Sequence, residues 1–460
     1  MPANKNLEKY LANYAEPEVV GLCSYPVRAG KYTHCIVIPC YNESISSICR
    51  LFERVSGIET LLAVIVVNAP DSASSLSLAN TRELLRALSA CFSVERPLSE
   101  NLILLEKPEN RLPDLLLVDR CSVGRLIPDK QGVGLARKIG ADIACYLYSQ
   151  SLIDSPLVFN TDADVVLPES YLRDGNRSYQ SPGIAALVFP FEHYVDDVQV
   201  RVESVGAGHV DNRELARVIR FYELSMRYYA DSLRGAGSGY GFTTIGSTIA
   251  FDLNRYAMVR GFPKRAGGED FYLLNKMAKV GEVLSLQTGA IRIAGRLSDR
   301  VPFGTGPALS KLMYKNSLVD LAYWYHPDIF LRLRLWLKLL KLSWCVQPGE
   351  RSDTPVTFLE KLLYESGLKE TEPEYAELLH YGLFIHLDQF LMKAKRQFRT
   401  QERYDKQIND WFDAFKTLKF VHFFRDNYYP SVSMLFVRDQ VETIAPGLLP
   451  KIERFLSCYD

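Results

Sequence analysis

The stretch HCIVIPCYNES, from His34 to Ser44, is an apolar run without polar alternation that halts at Pro39 and leaves Tyr41, Asn42 and Glu43 at its end. LLAVIVVN (61–68) is apolar in the same unbroken way. Such runs suit strands buried on both faces of a parallel sheet; a strand with one wet face would alternate. Helical patterns fall between them. ESISSICRLFERVSG puts Ile45, Ile48, Cys49, Phe52 and Val55 on one face, TRELLRALSACF does the same with Leu84, Leu85, Leu88 and Phe92, and GVGLARKIGADIACYLY aligns Leu135, Ile139, Ile143 and Leu147. NLILLE reads as a third strand, 108–131 as a loop, and PLVFNTDAD as the next strand and its end. This alternation predicts an α/β fold with a doubly wound, mostly parallel sheet. In such sheets ligands bind beyond the carboxyl ends of strands, so Tyr41-Asn42-Glu43 and Asp162-Ala163-Asp164 are expected on one rim.

A chain of 460 residues exceeds one ordinary domain. The pattern predicts an N-terminal arm over 1–30, the α/β domain over 31–310 and a mainly helical, aromatic region over 311–460. Lys plus Arg equals Asp plus Glu, 54 each, which argues against a wholly basic nucleic-acid binder. Nine cysteines, an odd count with no C-x-x-C pair, read as reduced thiols. Neither a signal-like leader nor an apolar run of about 18 residues is evident, so a cytoplasmic location is expected. LRLRLWLKLLKLSWCV (331–346) gathers Arg334, Lys338 and Lys341 on one helical side. That suits either peripheral contact with the inner face of an anionic membrane or a core helix with a solvated basic stripe.

Four stretches carry chemistry. Asp162 and Asp164 flank one small residue just past a strand, a spacing that serves a divalent cation and its phosphates, or a solvated turn. Glu269 and Asp270 open a helix after Gly267 and Gly268; they suit a general base, or complement the helix dipole. RLSDRVPFGTG offers Arg296 and Arg300 to phosphate, or to an ion pair with Asp299. GAGSGYGFTTIGS (235–247) lacks the Gly-Lys-Ser/Thr of a P-loop and reads as a flexible loop near an acceptor or an ordinary linker. Among seven histidines, His193, His209 and His326 could complete a cation site or be structural.

Taken in order, IVIPCYNES, VIVVNAPD, GVGLARKIGAD, NTDADVVLP and GGEDFYLLNKM resemble the family 2 glycosyltransferases of GT-A fold across roughly 31–310. The resemblance implies a sugar moved from a nucleoside-diphosphate sugar to an acceptor hydroxyl, with inversion and with Mn²⁺ or Mg²⁺. Pro39, Tyr41, Asn42 and Glu43 would then line the donor's base pocket, with Asn68 and Arg137 also assigned to the donor. Asp164 would bind the cation directly, and Asp162 would hold ribose or cation-bound water. Asp270, beside Glu269, would be the base, and Arg300 would meet the diphosphate. The sequence departs from the family where an acid often ends the second strand: Asn68 stands there, and Asp71 comes three residues later. A sugar-phosphate nucleotidyltransferase and a non-catalytic nucleotide-sugar binder are the alternatives; the absence of glycine from PCYNES argues against the first, and the presence of both acidic pairs against the second.

Overall fold

The computed structural model describes residues 5–24, 32–108, 111–195, 212–295, 305–313, 315, 317–347 and 355–459. The chain forms two compact units, Met1–Ile219 with Thr244–Met313, and Arg220–Thr243 with Tyr314–Asp460.

The first unit is the α/β part. Its strands are β1 (His34–Cys40), β2 (Leu61–Asn68), β3 (Phe92–Ser99), β4 (Leu102–Pro108), β5 (Asp114–Arg120), β6 (Leu157–Asn160), β7 (Val165–Val166), β8 (Ile184–Val188), β9 (Phe191–Tyr194), β10 (Ile249–Asp252), β11 (Glu282–Ser285) and β12 (Ile291–Ala294). Nine of them make one sheet in the order β11-β8-β10-β6-β1-β2-β5-β4-β3. The centre, β6-β1-β2-β5, is parallel. Every residue of β1 and β2 is buried, which is why neither alternates. β10 runs antiparallel between β6 and β8, and β7, β12 and β9 form a separate small sheet.

β3 and β5 were hidden in the sequence: Phe92, placed on the face of the helix TRELLRALSACF, instead opens β3, and that helix ends at Ala90. β5 lies in the stretch read as a loop and pairs parallel with β2, and NLILLE folds back antiparallel on β5 as β4. Its Leu115–Val118 core is fully apolar, but Pro113 and Asp114 before it and Asp119-Arg120 after it carry the signals of a loop. The helix Gly132–Ser149 packs on β1 and β2 with Leu135, Ile139, Ile143 and Leu147 all buried.

Residues 5–24 fold onto this unit through a buried polar cluster. Asp142, on the Gly132–Ser149 helix, is 0% exposed. It pairs with Lys138 at 2.7 Å, accepts hydrogen bonds from the Tyr10 hydroxyl (2.5 Å) and the Glu16 backbone N–H (2.8 Å), and is also met by Tyr256 Oη at 3.2 Å. Burial pushes its carboxyl above the usual range, and Lys138 pulls it back.

The second unit is helical. Its helix Pro327–Leu342 carries the LRLRLWLKLL text and starts at the His326 cap with Pro327 in the first turn. Leu333, Trp336, Leu339 and Leu340 are buried. Arg332 is buried against Glu377 (2.7 Å) and Glu374 (3.0 Å), Arg334 donates to the carbonyls of Gly235 and Thr443, and Lys338 donates to that of Ser366. The text YAELLHYGLFIHLDQFLMKAKRQF forms two helices, Pro373–Phe384 and Leu387–Gln397, because His386 enters the left-handed region at φ 53° and interrupts the ladder. The segment Arg220–Thr243 belongs here too: Phe221 packs on Trp324 and Phe455, and Tyr228 on Trp324 and Phe330. Among the described residues no helix is long and apolar enough to cross a membrane.

Candidate active site

The carboxyl ends of β1, β2 and β6 meet at one rim of the parallel sheet. β1 ends with Pro39, buried and in register with Val66 of β2, and Cys40. The chain then turns at Asn42, whose φ of 55° is a conformation asparagine tolerates better than most residues. Its backbone N–H donates to Thr81 Oγ1 at 3.0 Å and its side-chain oxygen accepts from Asn80 Nδ2 at 3.0 Å, so the helix Ser75–Ala90 fixes the turn. Ser44 then caps the next helix, Ile45–Phe52. Tyr41, Asn42 and Glu43 are thus held half-buried at the rim.

Asn68 ends β2 with its Oδ1 buried and without a hydrogen-bond partner. Asp71 is drawn away from it: its backbone bonds to Ile127, and its Oδ1 accepts from the Asp129 N–H at 3.2 Å. Asp119, near the end of β5, went unnoticed because its strand did. It accepts from the N–H groups of Cys121 and Ser122 and from Arg125 Nη1 (2.8 Å); burial raises its carboxyl, but these bonds outweigh it and hold the group below the usual range.

β6 leads into Thr161-Asp162-Ala163-Asp164. Thr161 N–H bonds to the Val37 carbonyl of β1, and its hydroxyl donates to the Ser247 carbonyl at 2.8 Å; Asn160 Nδ2 donates to the Gly246 carbonyl at 2.7 Å. Gly246 and Ser247, at the end of the 235–247 text read as a flexible loop near an acceptor or an ordinary linker, therefore brace the strand end that leads into the Asp162–Asp164 turn. Asp162 and Asp164, with Glu43, stand close enough to Cys40 that, after burial, their charges push its thiol well above the usual range.

The second acidic pair arrives by a close approach. Gly134, in the first turn of the Gly132–Ser149 helix, donates to the Arg265 carbonyl at 3.0 Å, and a Cβ there would stand 2.5 Å from the Pro263 carbonyl oxygen. Only glycine lets 263–266 pass so near, and the chain then delivers Glu269 and Asp270 to the head of the helix Glu269–Met277.

Arg137 joins the two pairs. It donates from Nε to Glu269 at 2.9 Å, from Nη2 to Asp162 at 2.6 Å and from Nη1 to the Thr161 carbonyl at 3.5 Å. Its side chain is 4% exposed and that of Glu269 5%, whereas Asp162 keeps 37% open to solvent. Asp270 is half-buried and accepts its own helix's Phe271 N–H at 2.7 Å. Burial, then the Glu269 charge, pushes its carboxyl up to about 7, against the opposing pull of the Phe271 N–H and Arg137. Asp162, Asp164, Glu269 and Asp270 therefore gather at one end of the sheet with Tyr41, Asn42, Glu43 and Asn68.

Arg300, Arg296 and His209 lie outside the described residues. His193 is buried in β9, in register with Ile293, which pairs with Val165 just after Asp164. His326 caps a helix in the second unit. Among the described residues no three acidic, histidine or cysteine side chains form a cation cage by themselves. The donor set fits a cation that takes one or two carboxylates and completes its shell with phosphate oxygens and water, as Mg²⁺ does.

No family model matches the chain, and no curated protein matches it. It is similar to several solved structures. One is the mannosyltransferase PcManGT from Pyrobaculum calidifontis in complex with GDP-Man and Mn²⁺, at 13% identity over 90% of this chain and 95% of that one, TM-score 0.32. Another is residues 1–349 of S. aureus TarS in complex with UDP-GlcNAc, at 12% identity over 82% and 89%, TM-score 0.31. A third is GalNAc-T7 with UDP, GalNAc and Mn²⁺, at 12% identity over 78% and 58%, TM-score 0.32. Likeness at this level carries no argument about reaction or ligand, and the function is argued below from the site.

Proposed function

We propose that the chain is a glycosyltransferase that moves a sugar from a nucleoside diphosphate to an acceptor hydroxyl, with inversion. The observation that carries this reading is the bridge from Asp162 through Arg137 to Glu269, which brings two acidic pairs, far apart in sequence, to the carboxyl rim of a parallel sheet. Ligands of α/β sheets bind at this rim. Tyr41, Asn42, Glu43 and the unpaired Asn68 Oδ1 would receive the base and ribose. A divalent cation held by Asp164, with Asp162 beside it, would supply positive charge against the departing diphosphate. Asp270 takes the proton from the acceptor hydroxyl as the oxygen attacks the anomeric carbon from the face opposite the leaving group.

The test is a thermal-shift screen of nucleoside diphosphate sugars with Mn²⁺, since a ligand selective for the folded state raises its apparent stability, followed by an assay of the released phosphate species. Selective stabilisation and acceptor-dependent release of nucleoside diphosphate are expected; pyrophosphate release would point to nucleotidyl transfer. Exhaustive chelation, like Asp164→Ala, is expected to bring transfer down to background, and full activity after chelation would remove the cation from the scheme.

The Asp270 carboxyl near 7 sets a pH dependence. A base must be ionised to act, so kcat/KM should climb about tenfold per pH unit below 7 and level off above it, the titration belonging jointly to the Glu269–Asp270 pair. A flat profile between pH 5 and 8 would exclude Asp270 as the base.

A further inference from the structure

We infer that Arg137 is a positioning residue that makes the two acidic pairs one mechanical unit, and that Gly246 is required because the guanidinium occupies the space a side chain would take. The role assigned to the acids rests on the glycosyl-transfer reading; the strut itself does not.

The guanidinium is planar and offers donors in a rigid fork, so the directions of its bonds are fixed relative to one another. Here that fork is spent inside the protein, on Glu269, on Asp162 and on the Thr161 carbonyl. With its side chain 4% exposed, it is turned toward protein oxygens and not toward solvent. It grips the first acid of each pair; its hydrogen bonds do not include the second, Asp164 or Asp270. Moving Arg137 would rotate both turns together, and misplacement of about 1 Å can cost about 10²-fold in rate.

Its own helix is anchored one residue on, where Lys138 pairs with the fully buried Asp142. On the far side lies Gly246, where a Cβ would stand 2.4 Å from Nη2 and 2.8 Å from Cζ. A flexible side-chain end could ordinarily retreat, but this one is tied at three points. The Gly246 carbonyl is itself held by Asn160, in the strand that leads to Asp162. Gly246→Ala therefore displaces the strut without touching any charge.

Two measurements test this in the full chain. The first is a thermal-melting cycle of Asp162→Asn and Glu269→Gln, alone and together, in wild-type and Arg137→Met backgrounds. Through a shared strut the two changes depart from additivity by more than about 2 °C in the wild type and become additive without Arg137. Additivity in both backgrounds overturns the proposal, whatever the chain catalyses. The second compares Arg137→Lys and Gly246→Ala with wild type for donor binding and turnover. A lysine keeps the charge but has no fork. Both variants should lose about 10²-fold in kcat while the dissociation constant for nucleoside diphosphate with Mn²⁺ stays within about threefold. A parallel loss of diphosphate affinity would make Arg137 a donor contact, and unchanged kcat would make it a packing residue; either overturns the assignment. Coupling in the melting cycle from a chain that transfers no sugar would leave the strut standing and refute the glycosyltransferase reading.

Discussion

Asp270→Asn lowers glycosyl transfer by about 10²–10⁴-fold and leaves the melting temperature unchanged or slightly higher, if Asp270 is the base that takes the acceptor proton. The shape of the carboxamide lets it accept the Phe271 N–H that Asp270 accepts at 2.7 Å, so the helix start survives. It cannot take a proton at neutral pH. It also removes a charge that Glu269 opposes, which is why no loss of stability is expected. Donor binding should be nearly unaffected, because the loss falls on the chemical step. Steady-state transfer together with a melting curve decides the matter: turnover at the wild-type rate would take Asp270 out of the mechanism.

Asp142→Ala is expected to have the largest effect on stability, about 3–5 kcal/mol, because it takes from the buried Lys138 its closest carboxylate and leaves only Glu16, at 3.8 Å, to oppose the charge. Three further groups lose an acceptor: the Tyr10 hydroxyl, the Tyr256 hydroxyl and the Glu16 backbone N–H. Residues 5–24 are attached to the Gly132–Ser149 helix through these bonds, so their release should appear as early proteolysis or fast hydrogen exchange of that segment. Replacing both charges, Lys138→Met with Asp142→Leu, should recover only the part of the loss due to the buried charge, since an apolar pair of similar volume can stand in for a buried ion pair but gives the three donors no acceptor. Urea denaturation of the single and double variants measures this, and a loss below about 1 kcal/mol for Asp142→Ala would show that the cluster is not a staple.

The parts of this fold that were legible in the sequence are those with a local signature. The unbroken apolar text of β1 and β2 betrays burial on both faces, and the helix Gly132–Ser149 shows its Leu135-Ile139-Ile143-Leu147 line. Asp162, Asp164, Glu269 and Asp270 announce themselves as acids at predicted strand and helix ends, and the structure brings them together. What could not be read depends on partners distant in the chain. Asp142 looks like an ordinary polar residue of a helix until Tyr10 and Tyr256 are seen on it. Thr81 and Asn80 hold the Asn42 turn from another helix, and nothing near them in sequence says so. β5 was lost because its charged ends mimic a loop, and Asp119 was lost with it. Gly246 was noticed as part of a glycine-rich text, but its reason is a guanidinium that arrives from Arg137.

The assignment of Arg220–Thr243 to the helical unit bears on how the protein can be dissected. A truncated product ending after Met313 would keep this segment and lose Trp324, Phe330 and Phe455, the rings against which Phe221 and Tyr228 lie. The orphaned aromatic stripe would face water and invite self-association. Soluble preparation of the α/β half therefore calls for excising or repolarising that segment as well as cutting the chain.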